Sequence, residues 1–166
     1  MTDSVSTQSG KARMIRELSK GPKVLLGIIQ HPDERLHATN RAVGDFNAPG
    51  LKEFVQNMVY TIQRLRAVGL AAPQVEWNIK LAVAIVNRRP LVMFNPEIVE
   101  HGDEEISIKE SCLSCGDAEV EVKRWNDIRI EYDNISGTRC SARIIGIDAI
   151  VVQHEIDHLN GKLIVD

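Results

Sequence analysis

The sequence predicts an α+β fold from three observations. An amphipathic helical pattern occupies residues 48–67, alternating apolar and polar residues fill much of the middle, and a second helical pattern runs from about Gly146 to Asn160. The order helix, strands, helix is typical of an α+β domain. With 166 residues, of which 43% are hydrophobic and 26% charged, the composition is that of one ordinary globular domain.

The first 23 residues are polar throughout, whereas the sequence becomes apolar from Val24 onward. This contrast predicts a flexible N-terminal extension over residues 1–23 and a single domain over residues 24–166. No apolar run approaches the ~20 residues that span a bilayer, and the N-terminus lacks the apolar segment of a secretory signal. The net charge of -3 gives no general attraction to nucleic acid or to anionic membranes, so neither is expected as a partner.

The first helix is indicated by apolar residues that recur every three or four positions. They are Leu51, Phe54, Val55, Met58, Val59, Ile62 and Leu65. The following stretch VGLAAPQV cannot continue the helix because it contains small residues and Pro73. Upstream, His31-Pro32-Asp33 indicates a turn.

The middle of the chain predicts several strands. The run NIKLAVAIVN suits a buried strand, and PLVMFNPEIVE suits another that Pro90 limits and Asn95-Pro96 breaks. The segments EVEVK and IRIEY alternate as half-buried strands do, and DNISG predicts a hairpin turn into TRCSARI.

The last helix carries the chemistry, in an H-E-x-x-H pattern formed by His154, Glu155 and His158. Two imidazoles at i and i+4 lie on one helical face and can reach a single metal ion. Glu155 lies to the side of them, where its carboxylate can act as a general base on water. The apolar residues Ile147, Ile150 and Val151 share the histidine face, so the histidines are expected to point inward.

A catalytic zinc-type site usually has three protein ligands, and H-E-x-x-H supplies two. A thermolysin-like peptidase takes a Glu from a later helix, but the only acid after His158 is Asp166. A metzincin has a third His where this chain has Ile164. The third ligand must therefore come from upstream, and the candidates are Cys112, Cys115, Cys140, His31, His37 and His101.

The odd count of three cysteines, without an export signal, argues against a disulfide framework. Cys112 and Cys115 form a C-x-x-C pair, but neither a second such pair nor a βαβ setting accompanies it. A closed two-cysteine, two-histidine site remains an alternative, although it would leave no open position and no task for Glu155.

Three motifs in order resemble those of the peptide deformylases. The family patterns are G-x-G-x-A-A-x-Q, E-G-C-x-S and Q-H-E-x-D-H, and this chain has AVGLAAPQ (67–74), ESCLS (110–114) and QHEIDH (153–158). The segment HPDERLHA also resembles the opening segment of the family. The resemblance implies mixed or antiparallel sheets packed around a central C-terminal helix that carries the H-E-x-x-H motif.

Residue by residue, the resemblance makes Cys112 the third ligand beside His154 and His158. It implies one divalent ion per chain, ferrous iron first, with zinc, nickel or cobalt as alternatives. Glu155 would be the general base for hydrolysis of N-formylmethionyl peptides, which releases formate. The side-chain amide of Gln74 and the backbone N–H of Leu113 would stabilise the oxyanion.

The resemblance also implies a methionine pocket and an extended peptide added as a strand. Ile147, Ile150 and Val151 would form one wall of the pocket, with Val68 and Ile108 opposite. The peptide backbone would lie along the segments around Gly69 and Ser111.

Three departures from the family pattern are expected to matter. Ala67 replaces a glycine and is harmless only if that position does not need a positive φ. Ser111 replaces the glycine before the cysteine and puts a side chain beside the peptide cleft. The sequence also stops soon after the last helix, so transient ribosome contact is expected without a C-terminal docking helix.

Smaller expectations concern the surroundings of the site. Glu110 and Arg124 are candidates for an ion pair that holds the cysteine loop, and Gln153 and Asp157 for supports of the ligands. Cys115 is either a spectator or an oxidation partner of Cys112.

The activity implied is that of a cytoplasmic enzyme in bacterial-type translation, or an organellar one if the N-terminal extension is a transit peptide. Two alternatives stay open at this point. One is a deformylase-like metal-binding protein with reduced or lost activity, and the other is a metallopeptidase.

Overall fold

The computed structural model describes residues 21–166. The predicted N-terminal extension (1–23) falls almost entirely outside this range, so its flexibility stays a prediction. Two short 3-10 turns (Glu34–His37 and Ala72–Val75) accompany two helices and seven strands within the described residues. These are α1 (Leu51–Leu65), β1 (Gly69–Ala71), β2 (Leu81–Val86), β3 (Arg89–His101), β4 (Glu105–Ser111), β5 (Glu119–Trp125), β6 (Asp127–Asp133), β7 (Arg139–Ile145) and α2 (Ile147–Leu159).

The strands form two antiparallel sheets. A five-stranded sheet has the order β1-β2-β3-β6-β7, and β4 pairs with β5 in a separate two-stranded sheet. Helix α2 packs against strands of both sheets, chiefly β1, β2, β5 and β7. The predicted α+β class with antiparallel sheets around the C-terminal helix is therefore confirmed.

Helix α1 covers the outer part of the core, as its apolar spacing predicts. Phe54, Val55, Met58 and Ile62 are buried against the side chains of β1 and β2, whereas Leu65 at the helix end is largely exposed. The buried Asn57 and Thr61 on the same helix hold the incoming N-terminal segment, because their side-chain oxygens accept the N–H groups of Val24 and Leu26. The helix thus fixes the chain that leads into the site.

Helix α2 is buried on most of its surface, and its apolar residues are accordingly spread around the helix and not confined to one face. Val152, Ile156 and Leu159 pack on β2, β3 and β6 within a second apolar cluster. Gln153 joins the helix to β5, since its side-chain amide accepts from the N–H of Trp125 and donates to the Trp125 carbonyl. Neither helix is long and apolar enough to cross a membrane among residues 21–166.

The prediction that Asn95-Pro96 breaks the second apolar strand is wrong. Strand β3 continues through both residues with a shift of register between Phe94 and Glu97. Asn95 adopts a φ of 49°, and its side chain bonds both the N–H and the carbonyl of Val43 at 2.8 Å, as well as Asp133 at 2.8 Å. Asparagine tolerates this conformation, so the result is a bulge and not a strand end.

Strand β4 (Glu105–Ser111) was not anticipated from the sequence. Its polar residues alternate with Ile106 and Ile108, and it pairs along its whole length with β5. This strand is important because it leads directly into Cys112.

Replacing Ile62 by alanine should destabilise the fold far more than replacing Leu65 on the same helix. Ile62 is 2% exposed and Leu65 is 40% exposed. The buried truncation should lower the free energy of unfolding by about 2–5 kcal/mol, because it leaves a cavity. Urea unfolding of both variants at matched metal content measures the difference, and equal losses would contradict this assignment of the core.

Candidate metal centre

Three side chains from two distant parts of the chain converge at one point. Cys112 follows β4, while His154 and His158 lie one turn apart on α2, and their ligand atoms all lie within 4.8 Å of one another. The Cys112 Sγ is 3.3 Å from Nε2 of His158, and the two Nε2 atoms are 3.1 Å apart. No fourth His, Cys, Asp or Glu joins this group within residues 21–166.

The donor set fits a divalent transition metal. Around a tetrahedral zinc-type ion, two nitrogens lie roughly 3.3 Å apart and a nitrogen and a sulfur roughly 3.5 Å apart. The observed separations are close to these values, and one sulfur and two imidazoles are ligands that such ions accept. Three ligands also leave a fourth position for water or substrate. A closed site with Cys115 as a fourth ligand is not what the structure shows.

The ring of His154 is oriented by a buried carboxylate. Glu110 Oε2 lies 2.8 Å from Nδ1 of His154, which leaves Nε2 free to face the other ligands. Arg124 donates to both oxygens of Glu110 at 2.8 and 2.9 Å and also pairs with Asp157 on α2. Burial by itself would raise the pKa of Glu110, but the bonds from Arg124 and His154 lower it to about 2.

The two histidines differ in their electrostatic surroundings. Burial lowers the pKa of His158 to about 3, with help from the charge of His154, so its ring is neutral and presents a lone pair. Burial acts in the same direction on His154, but bonds with Cys112 and Glu110 raise the pKa of this ring to about 10. A metal ion at Nε2 of His154 would therefore have to displace a proton from this ring. Nδ1 of His158 is buried and has no hydrogen-bond partner among the described residues.

Glu155 is buried beside the ligands without a partner. Its Oε2 accepts no hydrogen bond from any residue that the structure describes, and burial raises the pKa of the carboxyl group to about 7. The carboxylate lies so close to Gly69 that a Cβ on this glycine would stand 2.2 Å from Oε1. Gly69 is therefore required for space, and its φ is not in the positive region.

Gln74 and Leu113 present donors on the cysteine side of the centre. The Gln74 side chain is buried and held in one orientation, since Oε1 accepts from the Ala71 N–H at 2.9 Å. Its Nε2 then donates to Ser114 Oγ at 3.1 Å and lies 3.6 Å from Cys112 Sγ. The N–H of Leu113 donates to no backbone carbonyl within residues 21–166.

The apolar candidates for a pocket divide into two groups. Ile150 and Val151 are buried, and Ile108 is half-buried. Ile147 is 60% exposed and Val68 58% exposed, so Ile147 does not point inward as expected. Ile147 is the first residue of α2 and belongs to neither large apolar cluster. Ser111 is also exposed.

The structure tests the expectations for Ala67, for the pair of Glu110 and Arg124, and for Gln153. Ala67 does not adopt a positive φ, so its replacement of glycine adds no backbone strain. The predicted pair of Glu110 and Arg124 is confirmed. Gln153 was expected to support a metal ligand, but it does not. Its side-chain amide forms hydrogen bonds with the backbone of Trp125 and Ala149 instead.

Sequence reasoning missed two contacts at the centre. One is the bond between Glu110 and His154, and the other is the fully buried Ser114 that receives the Gln74 amide. A signal for the first was available, since a ligating His usually gives its second ring nitrogen to a carboxylate or carbonyl.

Comparisons with known proteins agree with this architecture. Residues 25–166 match the sequence profile of the family described as Polypeptide deformylase. The peptide deformylase of Desulfotalea psychrophila is 37% identical over 148 residues, which cover 86% of each chain. The crystal structure of the Thermotoga maritima peptide deformylase superposes with a TM-score of 0.83 at 36% identity, covering 86% of this chain and 97% of that one. A Met-Ala-Ser-bound structure of the class I type b enzyme from Acinetobacter baumannii gives a TM-score of 0.80 at 30% identity, covering 86% and 97%.

Alanine in place of Cys112, His154 or His158 should abolish tight metal binding, because each removes one of three converging ligands. Loss of a supporting partner costs about 10–100-fold in metal affinity, and loss of a ligand should exceed this. Elemental analysis of anaerobically purified protein measures the number of metal ions per chain. One ion per chain is expected for the unmodified protein. Cys140→Ser is the control and should keep its ion, since Cys140 lies on β7 away from the ligands. A full complement of metal in Cys112→Ala would exclude this site.

Proposed function

The chain belongs to the polypeptide deformylase family, and we propose that Cys112, His154, His158, Glu155 and Gln74 carry out its reaction. The protein is a metal-dependent hydrolase that removes the formyl group from the N-terminal formylmethionine of nascent peptides and releases formate. The observation that supports these roles best is the convergence of three ligand atoms next to a buried, unpartnered carboxylate.

Cys112, His154 and His158 hold the metal ion in this proposal. We propose ferrous iron as the native ion, with zinc, nickel or cobalt able to replace it, because thiolate and imidazole accept all of these ions. The ion supplies Lewis-acid polarisation of the formyl carbonyl and makes water a better nucleophile at neutral pH. Elemental analysis of protein purified without oxygen identifies it.

Glu155 is the general base. Its unpartnered Oε2 can accept a proton from the attacking water, and the same carboxyl group then gives the proton to the departing amine. Its burial between α2 and Gly69 restricts the carboxylate to one place. A base held at a fixed distance from the reacting atoms loses no rotational freedom on reaching the transition state.

Gln74 and Leu113 stabilise the oxyanion that forms as water attacks. The amide of Gln74 cannot turn over, because Oε1 is held by the Ala71 N–H, and Nε2 therefore stays on the side of Cys112. The Leu113 N–H follows the ligand directly in the chain. Two donors that are already oriented stabilise developing charge without reorganisation.

The peptide is proposed to bind extended along β1, which is one of the two edge strands of the five-stranded sheet. Gly69 and Ser111 would line its backbone, and Ser111 presents an exposed side chain there. The methionine side chain would contact the apolar residues near the histidine face. These are Val68, Ile108, Ile147, Ile150 and Val151. The Met-Ala-Ser ligand of the Acinetobacter baumannii enzyme has the form of a product with a free N-terminal methionine.

Residues 24–166 are proposed as the catalytic domain, which agrees with the match to the family over residues 25–166. The relatives are bacterial and plant deformylases, so we propose action in a bacterial-type cytoplasm or an organelle of bacterial origin. Contact with nascent chains implies at least a transient approach to the ribosome.

The alternatives are less well supported. A binding protein without turnover was suggested by Ala67 and Ser111, but Ala67 causes no strain and Glu155 and Gln74 are both in place. A peptidase for internal bonds would need its third ligand after the second His, whereas Cys112 lies before the helix.

Glu155→Gln should keep the metal and lose the activity. Removing a general base costs about 10²–10⁴-fold in rate, and the amide does not alter the three ligands. The activity is measured as formate release from formyl-Met-Ala-Ser by protein that was kept anaerobic and loaded with iron or nickel. Glu53→Gln on the exposed side of α1 is the matched control and should release formate at the original rate. No formate from the unmodified protein, or unchanged release from Glu155→Gln, would contradict the mechanism.

Gly69→Ala should reduce the activity by about 100-fold, because the added methyl group displaces the Glu155 carboxylate and a misplacement of ~1 Å has an effect of this size. Gly44→Ala is the matched control, since a Cβ on Gly44 meets nothing within 4 Å. Metal content should be unchanged in both variants. If Gly69→Ala matched Gly44→Ala in kcat/KM, the close approach to Glu155 would have no catalytic role.

A further inference from the structure

A second thiol lies beside the cysteine ligand and takes no part in the proposed reaction. The N–H of Cys115 donates to the carbonyl of Cys112 at 3.0 Å, which closes a turn over residues 112–115. Such a turn brings the first and fourth Cα atoms to within about 7 Å, close to the separation of about 4.4–6.8 Å that a disulfide spans.

Cys115 lies outside the proposed metal site and is partly covered by apolar side chains. It packs on a small apolar cluster formed by Ile29, Leu36 and Leu163, and it is only half-buried. Its sulfur is not part of the group of three ligand atoms. Cys115 is therefore a partly exposed thiol three residues from the buried Cys112, and it lies outside the group of ligand atoms.

We propose that Cys112 and Cys115 form a reversible disulfide when the protein meets a peroxide, and that this bond switches the metal centre off. The inference rests on the proposed role of Cys112 as a metal ligand. It assigns Cys115 as a resolving thiol.

The chemistry balances with hydrogen peroxide as the oxidant. In the metal-loaded protein the Cys112 sulfur would be a thiolate; it attacks one peroxide oxygen, the O–O bond breaks, and a sulfenic acid and a hydroxide ion result. The hydroxide takes a proton from solvent and becomes water. The Cys115 sulfur then attacks the sulfenic sulfur, the S–O bond breaks, and the thiol proton leaves with the hydroxide as a second water. One thiolate and one thiol are oxidised to a disulfide, and one peroxide, with one proton from solvent, is reduced to two waters.

The disulfide removes one of three ligands and leaves two imidazoles, which are too few to retain the ion. It also protects Cys112, because a sulfenic acid that is not captured by a thiol proceeds to irreversible sulfinic and sulfonic acids. Reduction by an external thiol restores both sulfurs through exchange, and the metal can then bind again.

The experiment uses protein loaded with zinc, which has no redox chemistry of its own. Hydrogen peroxide is added, zinc release is followed with a chromophoric chelator, and the cysteines are mapped by alkylation before and after reduction. Unmodified protein should lose its zinc and two of its three free thiols, with the bond between Cys112 and Cys115. An added thiol and fresh zinc should restore the metal content.

Cys115→Ser and Cys140→Ser separate the two candidate partners of Cys112. Cys140→Ser should behave like the unmodified protein, whereas Cys115→Ser should form sulfinic acid at Cys112 and fail to recover zinc after thiol treatment. Cys115→Ala replaces the serine variant if the latter does not fold.

The alkylation map of the cysteines in the unmodified protein tests the proposal even without the two variants. Sulfinic acid at Cys112 with Cys115 still free, or a bond involving Cys140, would overturn it. These readouts do not depend on formate release, so failure of the disulfide and failure of the deformylase assay are distinguishable.

Discussion

The buried carboxylate of Glu110 is the contact on which the metal centre depends. It joins three elements: β4, on which it lies, β5 through Arg124, and α2 through the ring of His154. A buried carboxylate is costly unless its charge is compensated, and here two charged or polar donors compensate it fully. Because Glu110 stands two residues before Cys112, the same contact sets the distance between the sulfur and the histidine helix. Cys112, which lies 42 residues before His154 in the chain (154 − 112), thereby acquires a fixed position relative to the histidines.

Glu155 illustrates the opposite situation, since its buried oxygen is not compensated. The close approach of Gly69 shows that the fold has made room for this carboxylate at the expense of a side chain on β1. Residues that break the rules of a stable interior are expected where function requires them. Glu110 is paired and Glu155 is unpaired within a single cluster, and this contrast supports a structural role for Glu110 and the proposed role of general base for Glu155.

Much of the fold could be predicted from periodicity alone. Helix α1, helix α2 and the β6–β7 hairpin follow from apolar spacing and from the DNISG turn, and the comparisons confirm the α+β class. The continuity of β3 could not be predicted, because it depends on contacts of Asn95 with Val43 and Asp133 that are remote in sequence. The exposure of Ile147 could not be predicted either, because helical spacing shows which residues share a face but not which of them the rest of the chain covers.

The site was predictable in a different way. The residues themselves identified His154, Glu155 and His158, but they left the third ligand among six candidates, and only the resemblance to a family selected Cys112. What no pattern could supply was the Glu110 contact to His154, because it joins a strand that was itself unrecognised to a helix. Pairing between side chains is a property of the packed chain, and local sequence contains little information about it.

The turn over residues 112–115 concentrates several functions in four residues. It carries the proposed metal ligand Cys112, the backbone N–H of Leu113 that is proposed to stabilise an oxyanion, and the second thiol Cys115. The turn is held from outside by the N-terminal segment, where the side chain of Gln30 donates to the Leu113 carbonyl at 2.9 Å and the His31 N–H donates to the Ser114 carbonyl at 2.7 Å. These contacts involve neither cysteine side chain, so a bond between the two sulfurs would leave them intact. The proposed exchange of a metal for a disulfide would therefore leave the backbone of the loop in place, because the groups that fix it take no part in the exchange.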